Sequence, residues 1–256
     1  MTTAASITSR GAWDGVVAEQ LAARLSLPAV VALESVGSTL DVAHTLAADG
    51  APNGTLVVAE EQTAGRGRSG RRWTSAPAAG IWLTLIERAL DPATLSLLAL
   101  RLGLAAAEAL DPFADASVGV KWPNDLYAGP KKLAGILVEA RWREGAPEWV
   151  AIGIGVNMRA PDDVAGAGGL RSGVARLAVL ELLVPALRTA AARAGNLDSS
   201  ELADLAKRDI ARGRRAIEPG AGIVDGVAAN GELLLRAPDG AVASYRSGSL
   251  VFAEAL

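Results

Sequence analysis

The stretch Gln62-Thr63-Ala64-Gly65-Arg66-Gly67-Arg68-Ser69-Gly70-Arg71-Arg72-Trp73 decides how this chain is read. Four arginines and three glycines fall within the nine residues from Gly65, closed by Trp73. Glycine lets several backbone amides turn onto one anion. Arginine forks match phosphate and carboxylate, and the indole offers a flat face. From Gly65 to Gly70 the spelling also satisfies G-x-G-x-x-G, which makes a dinucleotide site the first idea to test. The alternative is a solvated basic loop, since charge runs commonly face water.

The flanks remove the dinucleotide reading. A Rossmann fingerprint must open a helix directly, so that the pyrophosphate caps its first turn. Here a β-branched strand, Thr55 to Glu60, leads in, and Thr74-Ser75-Ala76-Pro77 and then a strand over Ile81 to Ile86 lead out. The Walker spelling with Gly-Lys-Ser/Thr is absent. With a net charge of −3, the positive charge is local to the loop. That pattern suits a small anion better than nucleic acid, so no DNA partner is expected.

Half of the 256 residues are hydrophobic but only 4% are aromatic, so the core must be built of Ala, Val, Leu and Ile. The absence of cysteine excludes disulfides, thiolate catalysis and Cys-ligated metals. Met1 to Gly11 contains no apolar run of a secretory signal. The richest apolar stretch, Leu95 to Leu110, is interrupted by Arg101 and Glu108 and reads as a buried helix rather than a membrane span. The expectation is a cytoplasmic protein with no membrane partner, monomeric or homodimeric.

Hydrophobic spacing predicts helices over Trp13–Leu25, Asp41–Ala48, Leu95–Leu110, Val174–Ala194 and Glu201–Ala211. Strands are predicted over Ala29–Leu33, Thr55–Glu60, Ile81–Ile86, Val118–Trp122, Leu133–Trp142 and Trp149–Val156. Asp162–Gly173 is small, glycine-rich and read as a loop. Successive strands imply an antiparallel or mixed sheet, hence an α+β fold with a mixed β-sheet flanked by helices. Near Gly213 the texture changes. Asn230-Gly231 and Asp239-Gly240 are hairpin signals between short β runs, and a compact β barrel fits. Two domains are therefore expected, 1–212 and 213–256.

Three further constellations carry polar chemistry. Lys121-Trp122-Pro123-Asn124-Asp125-Leu126 sets an ammonium, an amide and a carboxylate at a sheet rim, or is merely a hydrogen-bonded turn. Lys131-Lys132-Leu133-Ala134-Gly135 brings a basic pair into a buried strand, with Gly135 permitting close approach; paired surface lysines are the ordinary alternative. Gly153-Ile154-Gly155-Val156-Asn157 is a glycine-containing strand ending in an amide. His44 has no triad partner nearby in sequence and is read as an ordinary helix residue.

Taken together, EQTAGRGRSGRRW, KWPNDL, KKLAGILVE and GIGVNM, in this order, resemble the biotin protein ligases. Gly37-Ser38-Thr39 resembles that family's biotin-contacting turn, although Leu40 stands where the family usually has Asn. The resemblance is strong over Ser35 to Met158 and weak over the C-terminal β module. It implies a catalytic domain like that of class II aminoacyl-tRNA synthetases, followed by an SH3-like β barrel. It also implies biotin activation by ATP and Mg²⁺ to biotinyl-5′-AMP, then acyl transfer to a lysine of a carboxylase's biotin carboxyl carrier domain. Some family members carry an N-terminal DNA-binding repressor domain, and the early start of the catalytic sheet leads us to expect a ligase only.

Carried over residue by residue, the resemblance implies that Ser38, Thr39, Gln62, Arg66, Gly67, Arg68, Lys132, Gly135 and Gly153 bind biotin. It implies that Arg68, Trp73, Lys121, Asn124, Asp125 and Asn157 bind ATP or the adenylate, and that Lys132 and Arg68 act in catalysis; no metal ligand is assigned. The chemistry needs such cations. A carboxylate must attack an α-phosphate, and two like unit charges 4 Å apart repel by about 4 kcal/mol at an effective dielectric near 20. Lipoate or octanoate ligases share this logic and are the nearest rival. The loop, rich in glycine and like charge, is expected to be disordered until biotin or adenylate orders it.

Overall fold

A computed structural model describes residues 11–254, so the reading of the N-terminal ten residues as free of a signal lies outside the described part. The chain begins with a hairpin of β1 (Ala12–Trp13) and β2 (Val16–Val17), then α1 (Ala18–Leu25), β3 (Val30–Val36), α2 (Thr39–Ala48), β4 (Thr55–Gln62) and β5 (Gly80–Glu87). Next come α3 (Leu95–Leu110), β6 (Val118–Lys121), β7 (Asp125–Ala128), β8 (Lys131–Arg143), β9 (Ala146–Asn157), α4 (Arg176–Ala191) and α5 (Ser199–Arg208). Five short strands close the chain: β10 (Arg215–Glu218), β11 (Gly222–Val227), β12 (Leu233–Arg236), β13 (Val242–Tyr245) and β14 (Val251–Phe252).

The central sheet has seven strands in the order β3-β4-β5-β9-β8-β7-β6. Only β3 and β4 run parallel; the remaining neighbours are antiparallel. The sheet is therefore mixed, as the consecutive strand signals imply. Its two faces differ because strand side chains alternate. Leu56 and Val58 enter the main core with Leu97, Leu98 and Leu102 of α3 and Leu180 and Leu183 of α4. Val57, between them, faces the other way into a small cluster with Ala43 and Ala47 of α2 and Trp149 of β9. The main core is aliphatic, as the shortage of aromatics requires. The span Pro92–Phe113 is long and apolar enough to cross a membrane by composition, but its Leu97, Leu98, Leu102 and Leu110 are buried in this core.

Three expectations are corrected. The first helix starts at Ala18, not Trp13. Asp14 and Gly15 both adopt positive φ, 53° and 75°, and make the tight turn of the β1–β2 hairpin, an Asp-Gly signal that helical spacing masked. Strand β7, unanticipated, follows directly on the Pro123-Asn124 turn and pairs with both β6 and β8. The C-terminal strands form an antiparallel sheet in the order β13-β12-β11-β10-β14, with no pairing among the described residues that closes it into a barrel. Both predicted hairpin turns are present, with Gly231 at φ 83° and Gly240 at φ 88°.

The helical layer is held to itself by a buried ion pair. Arg101 on α3 is 2% exposed, pairs with Glu201 of α5 at 2.7 Å and also donates to the carbonyls of Arg193, Gly195 and Asn196. All its donors on this side are satisfied, which is the condition for burying a charge. Glu201 in turn completes a capping box with Asp198 at the start of α5.

Candidate functional site

The site is a trough made by glycines. Along β8 and β9, Ile136, Ile152 and Ile154 point into the main core, so Gly135, Gly153 and Gly155 fall on the opposite face. Register places Gly135 beside Gly155 and Gly153 beside Leu137, with Asp125 of β7 next to Gly135. Bare backbone replaces side chains over this patch. Two residues from elsewhere lie on it. A Cβ added at Gly155 would sit 2.4 Å from Trp73 Nε1, and one at Gly135 would sit 3.0 Å from the same indole. A Cβ at Gly153 would meet Leu40 at 3.1 Å. Gly153, read as a ligand-approach glycine, is thus covered by Leu40; Gly155, singled out only as part of its motif, makes the close approach to Trp73.

A cavity of about 220 Å³ opens over this trough. At one end Ser38, Thr39 and Gln62 line it. Gln62 Oε1 accepts from both the amide and the hydroxyl of Thr39, at 2.9 and 3.0 Å, and Gln62 Nε2 reaches Ser75 Oγ at 3.0 Å. Thr84 donates to Thr39 Oγ1 at 2.9 Å, closing a chain of polar contacts across β4 and β5. Gln62 thereby does the capping at α2 that Ser38, the residue at the N-cap, does not do. Ser38 Oγ is buried without a hydrogen-bond partner, and so is Trp73 Nε1. Unmade hydrogen bonds of buried groups cost about 1–3 kcal/mol each. Two such groups lining one cavity point to a polar ligand that would satisfy them.

The arginine loop forms the roof. Its stem is a small ladder in which Gly67 donates to Arg71 O at 2.7 Å and Trp73 donates to Gly65 O at 2.9 Å. Gly70, at φ 74°, makes the turn. The Arg66 guanidinium pairs with Asp41 of α2 at 2.9 Å and with Glu139 of β8 at 3.2 Å. Arg68 donates to Asn124 Oδ1 and to Gly248 O, each at 3.3 Å. Arg71 donates to Ser249 Oγ at 2.9 Å. Ser249, Leu250 and Val251, preceding and entering β14, complete the lining. No sequence signal marked them, because they reach the site only through the packing of the small sheet on the large one.

The far wall carries the charged residues. Lys132 Nζ lies 2.7 Å from Asp125 Oδ1 and 5.3 Å from the centre of a Trp73 ring. Asn124 is held by its own donation to Ile136 O at 2.8 Å. Lys121 sits 5.0 Å from the Phe252 ring and 5.9 Å from that of Tyr127. Burial lowers the Lys121 ammonium below its ordinary value; Asp125 opposes this, and Lys132, Arg214 and Arg71 add to it. Arg68 is lowered for the same first reason, burial, again opposed by Asp125. Asp125 is the sole acid among the residues lining the cavity. So many cations around one carboxylate give the cavity a positive potential suited to a polyanion.

A second cavity, of about 380 Å³, shares Arg72, Trp73 and Lys132 with the first. It holds Asn157, the one anticipated site residue that does not line the first cavity, and the loop from Pro161 to Ala167. That loop is fastened beside Lys132: the Lys132 amide donates to Gly166 O and the Gly168 amide donates to Lys132 O, both at 2.8 Å. Trp73, Arg72 and Lys132 thus stand between two chambers. Such a layout suits a ligand of two parts joined at Lys132.

A model of the biotin/lipoate A/B protein ligase family matches residues 33–157, the stretch that supplies most of the residues lining both chambers. A biotin--[acetyl-CoA-carboxylase] ligase of Paracoccus denitrificans is 35% identical over 222 residues, covering 75% of this chain and 88% of that protein. The chain belongs to the biotin protein ligase family. The chain spans less than half the length of the bifunctional ligase/repressors that it matches. A bifunctional ligase/repressor of Bacillus spizizenii is 42% identical over 132 residues, which is 50% of this chain and only 40% of that relative. Among solved structures, the biotin protein ligase from Aquifex aeolicus in complex with biotin and ATP superposes with a TM-score of 0.72 at 25% identity, covering 88% of this chain and 99% of that one. The biotin ligase resemblance carried by the four motifs therefore extends through the fold.

Proposed function

We propose that this protein is a biotin protein ligase: it condenses biotin with ATP to biotinyl-5′-AMP, releasing pyrophosphate, and passes the biotinyl group to a lysine of a carboxylase's carrier domain. The observation that carries this is the pair of chambers meeting at Lys132 and Trp73. In this reading biotin's ureido ring lies at the Ser38–Thr39 end, where the orphaned Ser38 hydroxyl gains a partner. The Arg66 to Arg68 backbone closes over the ring, and Gly135, where a Cβ would meet Trp73 at 3.0 Å, lets that indole lie close to the sheet.

Biotin's carboxylate then reaches Lys132 and Arg68, and the adenosine extends past Trp73 toward Asn157. One carboxylate oxygen attacks the α-phosphorus, the bond to the β-phosphate oxygen breaks, and pyrophosphate departs. Lys132, Arg68 and Lys121 offset the repulsion between the two anions and stabilise the charge that develops at phosphorus. In the second step the carrier lysine's amine attacks the acyl carbon and AMP leaves. No nucleophilic side chain of the enzyme is required.

Mg²⁺ enters as part of the nucleotide substrate. Among the described residues no cluster of three His, Asp or Glu forms a resident metal site, and Asp125 is the carboxylate that the cavity offers to a cation held by phosphates. The C-terminal sheet, beginning near residue 213, corresponds in this reading to the family's SH3-like module. Through Gly248 and Ser249 it braces the roof over the substrates. The arginine–glycine loop, together with relatives named as biotin ligases, favours biotin over lipoate. Incubation with ATP, a carrier domain and either labelled acid separates the two; lipoyl transfer without biotinyl transfer overturns the assignment.

A further inference from the structure

Arg66 opens the roof loop, yet its guanidinium is spent on two carboxylates outside the loop. Asp41 lies on α2 and Glu139 on β8. They are unequal partners: the Asp41 side chain is 63% exposed and that of Glu139 32%. An exposed pair contributes little, so Glu139 is the firmer anchor. Glu139 is itself held. Its Oε2 also lies 2.9 Å from His44 Nε2, and His44 Nδ1 lies 3.0 Å from Trp149 Nε1.

The indole nitrogen can only donate, so His44 Nδ1 must accept, and Nε2 carries the proton that goes to Glu139. The chain Trp149→His44→Glu139←Arg66 thus has one consistent direction of donation. Trp149 is buried in the small cluster under α2. A fixed point in the core is linked through two side chains, His44 and Glu139, to the first arginine of a glycine-rich loop. None of Asp41, His44, Glu139 and Trp149 lines either chamber.

We infer that Glu139, set by His44 and Trp149, is a positioning residue that latches the roof loop through Arg66 and so governs how long the chamber stays closed. This rests on the biotin ligase reading only for what is enclosed; the latch itself concerns the loop. His44 changes meaning accordingly, from an ordinary helix residue to the middle of the latch.

Tryptic cleavage tests it, because the loop carries its own cleavage sites at Arg68, Arg71 and Arg72. Purified full-length wild type, Glu139→Gln, Arg66→Met and the double variant are digested briefly without ligand, and cleavage within 68–72 is followed by mass spectrometry. Each single variant is expected to be cut about fivefold faster, the effect of losing one modest interaction, with an unchanged melting temperature. The double variant is expected to be cut no faster than the singles. Wild-type cleavage in Glu139→Gln, or fully additive effects, overturns the latch.

His44→Leu, which keeps Glu139 but frees its orientation, is expected to fall between wild type and Glu139→Gln; cleavage at the wild-type rate removes His44 and Trp149 from the latch. Repeating the digestion with biotin and ATP separates the two ideas. Accelerated cleavage in the variants with no protection of wild type by these ligands sustains the latch and contradicts the substrate assignment.

Discussion

The indole of Trp73 lies on the backbone of Gly155, so close that a methyl group there would stand 2.4 Å from Nε1. This contact seats the end of the roof loop in the trough of the sheet. It also puts the same ring 5.3 Å from Lys132 Nζ, so the loop, the glycine strand and the lysine form one unit. Gly155→Ala should expel the indole. The added carbon meets a rigid ring, and overpacking of this kind costs about 1–3 kcal/mol. We expect biotin to bind at least about tenfold more weakly, the equivalent of 1.4 kcal/mol. Titration calorimetry showing wild-type affinity would mean that Trp73 does not shape the chamber.

Lys132→Ala should nearly abolish pyrophosphate release while leaving the melting temperature close to wild type. The ammonium is partly exposed and paired with Asp125, so its removal costs little stability. In the proposed reaction its loss removes a charge from the point where both anionic substrates would meet. Unaltered pyrophosphate release would take Lys132 out of the chemistry.

Arg68→Gly should release the adenylate early. The side chain joins the loop to Asn124 and to Gly248, in the segment between β13 and β14, and glycine cannot make either contact. Dissociation of biotinyl-5′-AMP, followed by filtration, should be faster by about an order of magnitude, the effect of ~1.4 kcal/mol. An unchanged rate would show that the roof is held elsewhere.

Lys121 gives a pH signature. Burial first, then Lys132, Arg214 and Arg71, lower its pKa below 10.5 in the folded protein. Between the folded and unfolded values the unfolded chain binds more protons, so this group makes stability rise with pH in that alkaline window. Chemical denaturation of the ligand-free protein should show the rise, and Lys121→Met should remove it. ATP, by adding negative charge nearby, should raise the Lys121 pKa and draw a proton from solvent. Calorimetry in two buffers of different ionisation enthalpy reads that uptake; identical heats in wild type and Lys121→Met would contradict it.

Much of the site is legible in the amino-acid sequence. The four motifs and the Gly37-Ser38-Thr39 turn place Ser38, Thr39, Gln62, Arg68, Lys132 and Gly135 around one cavity, because each is fixed by a strand end or turn whose signal is local. What local signals do not convey is long-range packing. Ser249 meets Arg71 across 178 residues, and Glu139 meets Arg66 across 73. Leu40 reads as a lost hydrogen bond, yet it covers Gly153, a contact set by how α2 lies on β9. Helical spacing from Val16 to Leu25 hides the Asp14-Gly15 turn, because two-residue strands carry too little pattern to compete. Strand β7 is hidden for a similar reason: its four residues follow the Pro123-Asn124 turn, whose signal dominates that segment.

In the proposed reaction the two chambers hold the halves of an acyl-adenylate formed at Lys132. This is tested most directly by incubating the protein with labelled biotin, ATP, Mg²⁺ and a biotin carboxyl carrier domain, then locating the label by mass spectrometry. ATP-dependent label is expected on one carrier lysine, and none in Lys132→Ala. Label that appears without ATP, or no biotinyl transfer by a protein that transfers lipoate, would contradict it.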